Sequence, residues 1–255
     1  PAAWSGRRIY LAFDGVDSAF YLWINGAYVG YSVNSKNAAE FDVTAHVKPG
    51  ARNTIAVEVW RYCAGSYLED QDKWRLSGIT RNVTLWTAPA VHVRDFFVRT
   101  DLDAGYRDAV LEVTAKVKNS GNSPSPARKL SVVLLDPKGR PVAGAAAELP
   151  VPALAPGGKH EAVLRVPVTA PAKWTAETPV LYTTVLALGD GRKADEYLSC
   201  RTGFRKVEIK GRIFTVNGVP VKLKGANRHE HWADTGHVIS EARMIRDIEV
   251  LKQGN

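Results

Sequence analysis

The sequence predicts a mainly β protein that turns helical only near its last residues. Three observations carry this. Alternating apolar and polar side chains recur in short runs, as in Ile9, Leu11 and Phe13 around Tyr10 and Ala12, the period of half-buried strands. Asn25-Gly26 and Asn217-Gly218 each separate two apolar runs, and Asn-Gly is a strong hairpin signal because both turn residues need positive φ. After Ser240 the period changes: Met244, Ile248 and Leu251 recur at i, i+4 and i+7, as on one face of a helix.

Taken in order, residues 7–88 read as short strands, with runs at 9–13, 20–24, 27–31, 54–62 and 82–86. No helical period interrupts them, so an antiparallel sandwich or jelly roll is expected. The strands are too few for a closed jelly roll of eight, which makes this a partial one expected to begin upstream of Pro1. From 91 to about 207 strands continue at 110–117, 130–135, 162–168 and 182–188, with turns at 119–122, 136–139 and 155–158. About seven short strands over such a length fit an immunoglobulin-like sandwich, although the Cys…Trp…Cys spacing of antibody domains is missing. Residues 141–158, rich in Pro and Ala, read as loops. Beyond the second Asn-Gly hairpin, 221–225 is expected to be the first strand of a (β/α)8 barrel and 240–253 its first helix, Ser240 acting as the cap. A whole barrel needs about 250 residues, so the barrel is expected to be truncated and the chain a piece of a larger protein. The expected domains are 1–89, 90–207 and 208–255.

With 255 residues and 45% hydrophobic content, the chain is long enough to bury a real core. No run approaches the roughly 18 apolar residues of a membrane span, and Pro1 to Arg8 lack a signal peptide's apolar segment. Cys63 and Cys200 are too few and too far apart for a disulfide scaffold or a zinc pattern; two reduced thiols in an intracellular protein are expected. The formal charge is +8, and residues 205–228 hold seven Lys or Arg against one acid, Glu208. Lys222 and Lys224 alternate with Val221 and Leu223, as on a strand with one wet face. A solvated face is therefore favoured over a nucleic-acid groove, since no nucleic-acid module accompanies the charge.

Two segments are polar and aromatic at once. The first, 65–79, holds Glu69, Asp70, Asp72, Tyr67 and Trp74. Carboxylates beside Trp and Tyr suit sugar recognition, with hydroxyls donating to acceptors and the apolar ring face lying on an aromatic. A solvated loop with Trp74 packed beneath it is the equal alternative. The second is Asn227-Arg228-His229-Glu230-His231-Trp232, on the loop between the expected strand and helix, where β/α barrels keep their chemistry. His229 and His231 at i, i+2 are a weak metal signal without a third ligand. Hydrogen bonding to substrate hydroxyls is preferred, and a histidine that satisfies a barrel-mouth carbonyl remains the other reading. No phosphate loop, nucleophile elbow or triad spacing is present.

These segments in this order resemble glycoside hydrolase family 2, and within it the bacterial β-galactosidase group. The strings that carry the resemblance are Phe13-Asp14-Gly15-Val16-Asp17-Ser18-Ala19-Phe20, Ser66-Tyr67-Leu68-Glu69-Asp70-Gln71-Asp72-Lys73-Trp74-Arg75 with Ser77-Gly78-Ile79, and Val219-Pro220 with Gly225-Ala226-Asn227-Arg228-His229-Glu230-His231. The likeness spans nearly the whole chain and is weakest from about 119 to 170. It implies a partial jelly-roll sugar-binding domain, an immunoglobulin-like sandwich and the opening of a catalytic barrel. It implies that Asp72 contacts the sugar and a sodium ion, and that His229 helps hold the galactosyl transition state. Neither is a catalytic carboxylate. The retaining mechanism uses two glutamates about 5–5.5 Å apart, which the resemblance assigns to later barrel strands, together with the magnesium ligands. It also implies a galactoside substrate, a homo-oligomer at full length and a cytoplasmic location, with neither nucleic acid nor membrane as partner.

The chain by itself is expected to be inactive, because an incomplete barrel gives no rigid frame to a general acid and its partner. A β-glucuronidase is the nearest rival within the family; its counterpart of the His229 segment usually reads His-Glu-Asp, whereas this chain has His-Glu-His. A non-catalytic carbohydrate-binding protein is the rival outside it. A purely structural protein would leave Met244, Ile248 and Leu251 uncovered, and such a face invites association.

Overall fold

The structure, a computed structural model, describes residues 1–69 and 74–254. Its contacts divide the chain into two compact units: Pro1–Thr87 with Gly225–Asn255, and Ala88–Lys224. As expected, the described elements are almost all strands.

The first unit contains β1 (Arg8–Phe13), β2 (Val16–Asp17), β3 (Ala19–Ile24), β4 (Ala27–Val33), β5 (Ala39–Asp42), β6 (Ile55–Trp60), β7 (Gly78–Ile79) and β8 (Val83–Ala88). These pair as two three-stranded sheets, β5-β1-β8 and β4-β3-β6, and a short ribbon β2-β7. Because side chains alternate along a strand, Ile9, Leu11 and Phe13 of β1 meet Phe20, Leu22 and Ile24 of β3 in one buried cluster. The Phe13 and Phe20 rings lie 4.7 Å apart, and Phe41 of β5 stands edge-on to both. Phe41 fits only because residue 30 is glycine: a Cβ there would fall 2.6 Å from its ring. Among the described residues, six longer strands in two three-stranded sheets, with the short ribbon beside them, make an open, partial jelly roll; the sequence shows five of these runs.

The first Asn-Gly turn forms as expected, with φ of 52° at Asn25 and 82° at Gly26. Asn25 does more than turn the chain. Its Nδ2 donates to the His46 carbonyl at 2.8 Å, and its Oδ1 accepts from the Thr54 N–H at 3.0 Å. The hairpin tip is thereby fastened to the start of the neighbouring strand.

The second unit begins with β9 (Val91–Leu102), β10 (Ala109–Asn119), β11 (Arg128–Leu135), β12 (Pro141–Val151), β13 (Lys159–Val168), β14 (Tyr182–Gly189) and β15 (Ala194–Thr202). They make a sheet β13-β10-β9 facing a sheet β12-β11-β14-β15, the seven strands of an immunoglobulin-like sandwich. The inner faces are fully buried: Leu111, Val113, Ala115 and Val117 of β10 join Leu130, Val132, Leu134, Leu186 and Leu188 in one core. Cys63 and Cys200 are free thiols, so no disulfide closes this sandwich.

One expectation is corrected here. Residues 141–151 are a strand rather than a loop, pairing antiparallel with β11. Small side chains give little period-2 signal, yet the backbone ladder needs no side chain, and Ala145 and Val151 still bury their inward faces.

Then come β16 (Val207–Lys210), β17 (Ile213–Val216) and β18 (Val219–Pro220), paired in that order. The second Asn-Gly turn is also as expected, φ being 52° at Asn217 and 79° at Gly218. Asn217 repeats the double use of Asn25: it accepts from the Lys206 N–H at 2.9 Å and donates to the Trp174 carbonyl at 3.1 Å.

The expected barrel strand at 221–225 is not a strand in the structure. Its tie to the hairpin is the Val221 N–H on the Phe214 carbonyl at 3.0 Å, and Val221, Leu223 and both lysines are exposed. Alternation alone does not make a strand; a parallel barrel strand needs neighbours on both sides, and none of the described residues supplies them. The helix does form: α1 (Glu241–Gln253) starts at Ser240, whose side chain accepts from the Arg243 N–H. None of its residues is buried, and Met244, Ile248 and Leu251 are exposed as anticipated.

Candidate functional site

The first unit holds a cleft of about 810 Å³. One wall comes from the ribbon β2-β7, where the Asp14 N–H donates to the Asn82 carbonyl and the Thr80 N–H to the Gly15 carbonyl, both at 3.0 Å. This brings Asp14 beside Thr80, Arg81 and Asn82. The loop after β4 adds Lys36, and the loop before α1 adds Arg228, His229, Glu230 and His231. The two segments singled out in the sequence thus meet: the Trp74 ring lies 5.0 Å from the His231 ring, tilted by 52°.

Trp74 is 70% exposed, so it does not pack beneath its loop. It also lines a second, smaller cleft of about 270 Å³, which shares Lys36 and His237 with the first. An open indole face among hydrogen-bonding groups has the chemistry to take a ligand that is apolar on one side and hydroxylated at its edge.

Arg228 fixes the histidine loop. Its Nε and one terminal nitrogen donate to Asp247 Oδ2 at 3.1 and 2.7 Å, and the other terminal nitrogen donates to Glu230 at 3.0 Å. The hydrogen bonds to Asp247, against some burial, hold the guanidinium above its ordinary pKa. Asp247 stands on α1, where Arg243 also pairs with it at 3.3 Å and lies over the Trp232 ring at 4.0 Å. Trp232 and Gly236 exchange backbone hydrogen bonds at 2.8 and 3.0 Å, closing the loop on itself. Helix and loop are therefore tied through Asp247 and through Arg243.

His229, a predicted site residue, faces the cleft, is exposed, and makes no hydrogen bond or ion pair with another described residue. It satisfies no backbone carbonyl of a described residue. Asp72 lies outside the described residues. Among the described residues no three His, Cys, Asp or Glu side chains gather as a metal would require. The sequence reading missed Asp247 and Arg243. Their i, i+4 spacing is a visible helical pair, but nothing in the sequence points from Asp247 back to Arg228.

Comparison with known proteins assigns this architecture to a class. The model for the glycosyl hydrolases family 2 sugar binding domain matches residues 1–89, that for glycosyl hydrolases family 2 matches 91–205, and that for the family 2 TIM barrel domain matches 207–255. The chain belongs to glycosyl hydrolase family 2. It is 43% identical over 254 residues to a β-galactosidase of Priestia megaterium, and 42% identical over 246 residues to one of Enterobacter cloacae. Those matches cover 99% and 95% of this chain but 24% and 23% of the relatives, so the chain spans about a quarter of their length. Among solved structures, a family 2 member from Bacteroides cellulosilyticus superposes with a TM-score of 0.87 at 27% identity, covering 99% of this chain and 34% of that one. A Bacteroides uniformis β-glucuronidase superposes at 0.84 with 24% identity over 99% of this chain and 31% of its own; at that identity it speaks for the fold alone. No described helix is long and apolar enough to cross a membrane.

Proposed function

We propose that this chain is the substrate-shaping part of a retaining β-galactosidase acting on terminal non-reducing β-D-galactosides, and that it supplies no catalytic carboxylate. The observation that carries this is the 43% identity to a named β-galactosidase across 99% of the chain. Trp74 offers an apolar face to the pyranose ring. His229, uncommitted to any described partner, has a ring nitrogen available to a sugar hydroxyl and helps hold the transition state. Asp72 contacts the same sugar and lends an oxygen to a sodium ion. Glu69 and Glu230 are engaged with Ser35 and Arg228, which argues against either as a mobile proton donor. The two glutamates of the retaining reaction, about 5–5.5 Å apart, and the magnesium ligands belong to barrel segments other than those here.

The test is turnover. The 255-residue chain, free of contaminating enzyme, should release no nitrophenol from a nitrophenyl β-galactoside. The longer protein that bears it should do so, and should prefer galactoside to glucuronide. Preference for the glucuronide would move the assignment to a β-glucuronidase, against which the His-Glu-His run at 229–231 speaks. Binding without turnover by the longer protein would leave a carbohydrate-binding protein.

A further inference from the structure

Where β4 ends, Asn34 turns the chain with a φ of 93°, and its Oδ1 accepts from the N–H groups of Lys36 and Asn37, both at 3.3 Å. The turn aims Ser35 at one target. Its N–H donates to both carboxylate oxygens of Glu69, at 3.2 and 3.3 Å, and its hydroxyl donates to Oε2 at 2.5 Å. Ser35 is only 4% exposed, so water competes little for these bonds. The backbone of Glu69 is held as well: its N–H donates to the Gly65 carbonyl at 2.9 Å, continuing the short 3-10 turn Ala64–Tyr67. Charge-assisted bonds from a buried donor pair are among the stronger polar contacts in a protein.

Glu69 stands five residues before Trp74, a stretch that reaches at most about 17 Å when extended. Ser35 and Glu69 line the smaller cleft together with Trp74, and Trp74 and Lys36 line both clefts. The clamp therefore ties the root of the Trp74 segment to the loop that also carries Lys36.

Resting on the carbohydrate-site reading above, we infer that Glu69 is a positioning residue, whose carboxylate, gripped by Ser35, sets the stance of Trp74 in the clefts. Glutamine in its place keeps the size but removes the charge and one of the two oxygens that accept from the Ser35 N–H, so the grip is weakened. Ser35→Ala removes the hydroxyl arm alone, and Ser35→Thr keeps both arms.

The chain has seven tryptophans, so nitrogen-15 indole spectra report on Trp74 once Trp74→Phe has assigned its signal. Glu69→Gln and Ser35→Ala should each move or broaden that signal, and Ser35→Thr should leave it in place. Affinity for isopropyl β-thiogalactoside should fall about tenfold in Glu69→Gln, with Ser35→Thr at the unsubstituted value. A merely structural role would lower the unfolding midpoint while the Trp74 signal and the affinity of the folded fraction stay put, and that result overturns the inference. If Glu69→Gln collapses the dispersion of the seven indole signals, Ser35→Ala decides, and an unmoved Trp74 signal there is equally fatal. If the unsubstituted chain fails to bind the thiogalactoside, the affinity comparison is made in the longer protein, whose failure to bind counts against the galactoside reading alone, and the Trp74 signal still decides the clamp.

Discussion

The central sandwich and the unit that carries the clefts are built from the same kind of strand, yet they finish differently. In the sandwich, each inward side chain of β10 from Leu111 to Val117 meets a facing sheet and is sealed from water. In the first unit the sealed core is smaller and centred on the inner faces of β1 and β3; Tyr28, Tyr31 and Trp60 remain about half exposed on the sheet β4-β3-β6, and no residue of α1 is buried. The contrast is one of burial against polar fastening. The sandwich closes its core, whereas the unit with the clefts keeps aromatic and ionisable groups open and holds them with polar ties.

The largest expected effect tests the closed side. Leu111→Ala should cost about 2–5 kcal/mol of sandwich stability by urea denaturation, because a fully buried leucine leaves a cavity. A loss below about 1 kcal/mol would show a core far looser than its burial indicates. Next come the turns, where both units depend on an asparagine at positive φ. Asn217→Ala should cost about 1–3 kcal/mol, since it strains the turn and frees the Lys206 N–H and the Trp174 carbonyl. Asn25→Ala should cost a similar amount in the first unit, so a harmless change at either site would break the parallel.

A third test sharpens the difference through pH. His92 is fully buried in the sandwich, its Nδ1 3.0 Å from the Pro89 carbonyl, and burial pushes its pKa below the ordinary 6.5. The unfolded chain then takes up a proton before the folded one, so sandwich stability should fall as pH drops below 6.5 towards the folded value and be regained above it. His92→Phe should flatten that part of the profile measured by urea titrations from neutral to mildly acid pH. The polar ties should behave locally: Asp247→Asn weakens the grip on Arg228, and limited proteolysis should then cut faster within 226–239 while the sandwich midpoint is unchanged. The smallest stability effect is expected on α1. Leu251→Ala should stay within about 0.5 kcal/mol, while Ile248→Glu combined with Leu251→Glu should shift gel filtration towards monomer and lower dye binding.

Much of the fold was legible because its signals are local. The Asn-Gly turns, the alternating runs of β1, β3 and β10, and the Ser240 cap are each written within a few residues, and each appears where the spacing puts it. β12 was not legible, since alanine and glycine carry almost no alternation and the strand exists only through its pairing with β11. The stretch 221–225 misled for the converse reason: it alternates well, but alternation describes faces and cannot supply neighbours. In the cleft, the His229 loop stood out as a polar cluster, as did Trp74 as an aromatic among acids. What joins them did not.

By itself the sequence determined which residues could form strands, turns and a helix, and which side chains had chemistry to offer, because those properties depend on near neighbours and on side-chain type. The tertiary structure decided which of them meet. Ser35 reaches Glu69 across 34 residues and Arg228 reaches Asp247 across 19. Contacts between groups so far apart in the chain exist only after sheets and helix have packed, since loop closure is repaid only by the contacts that packing creates.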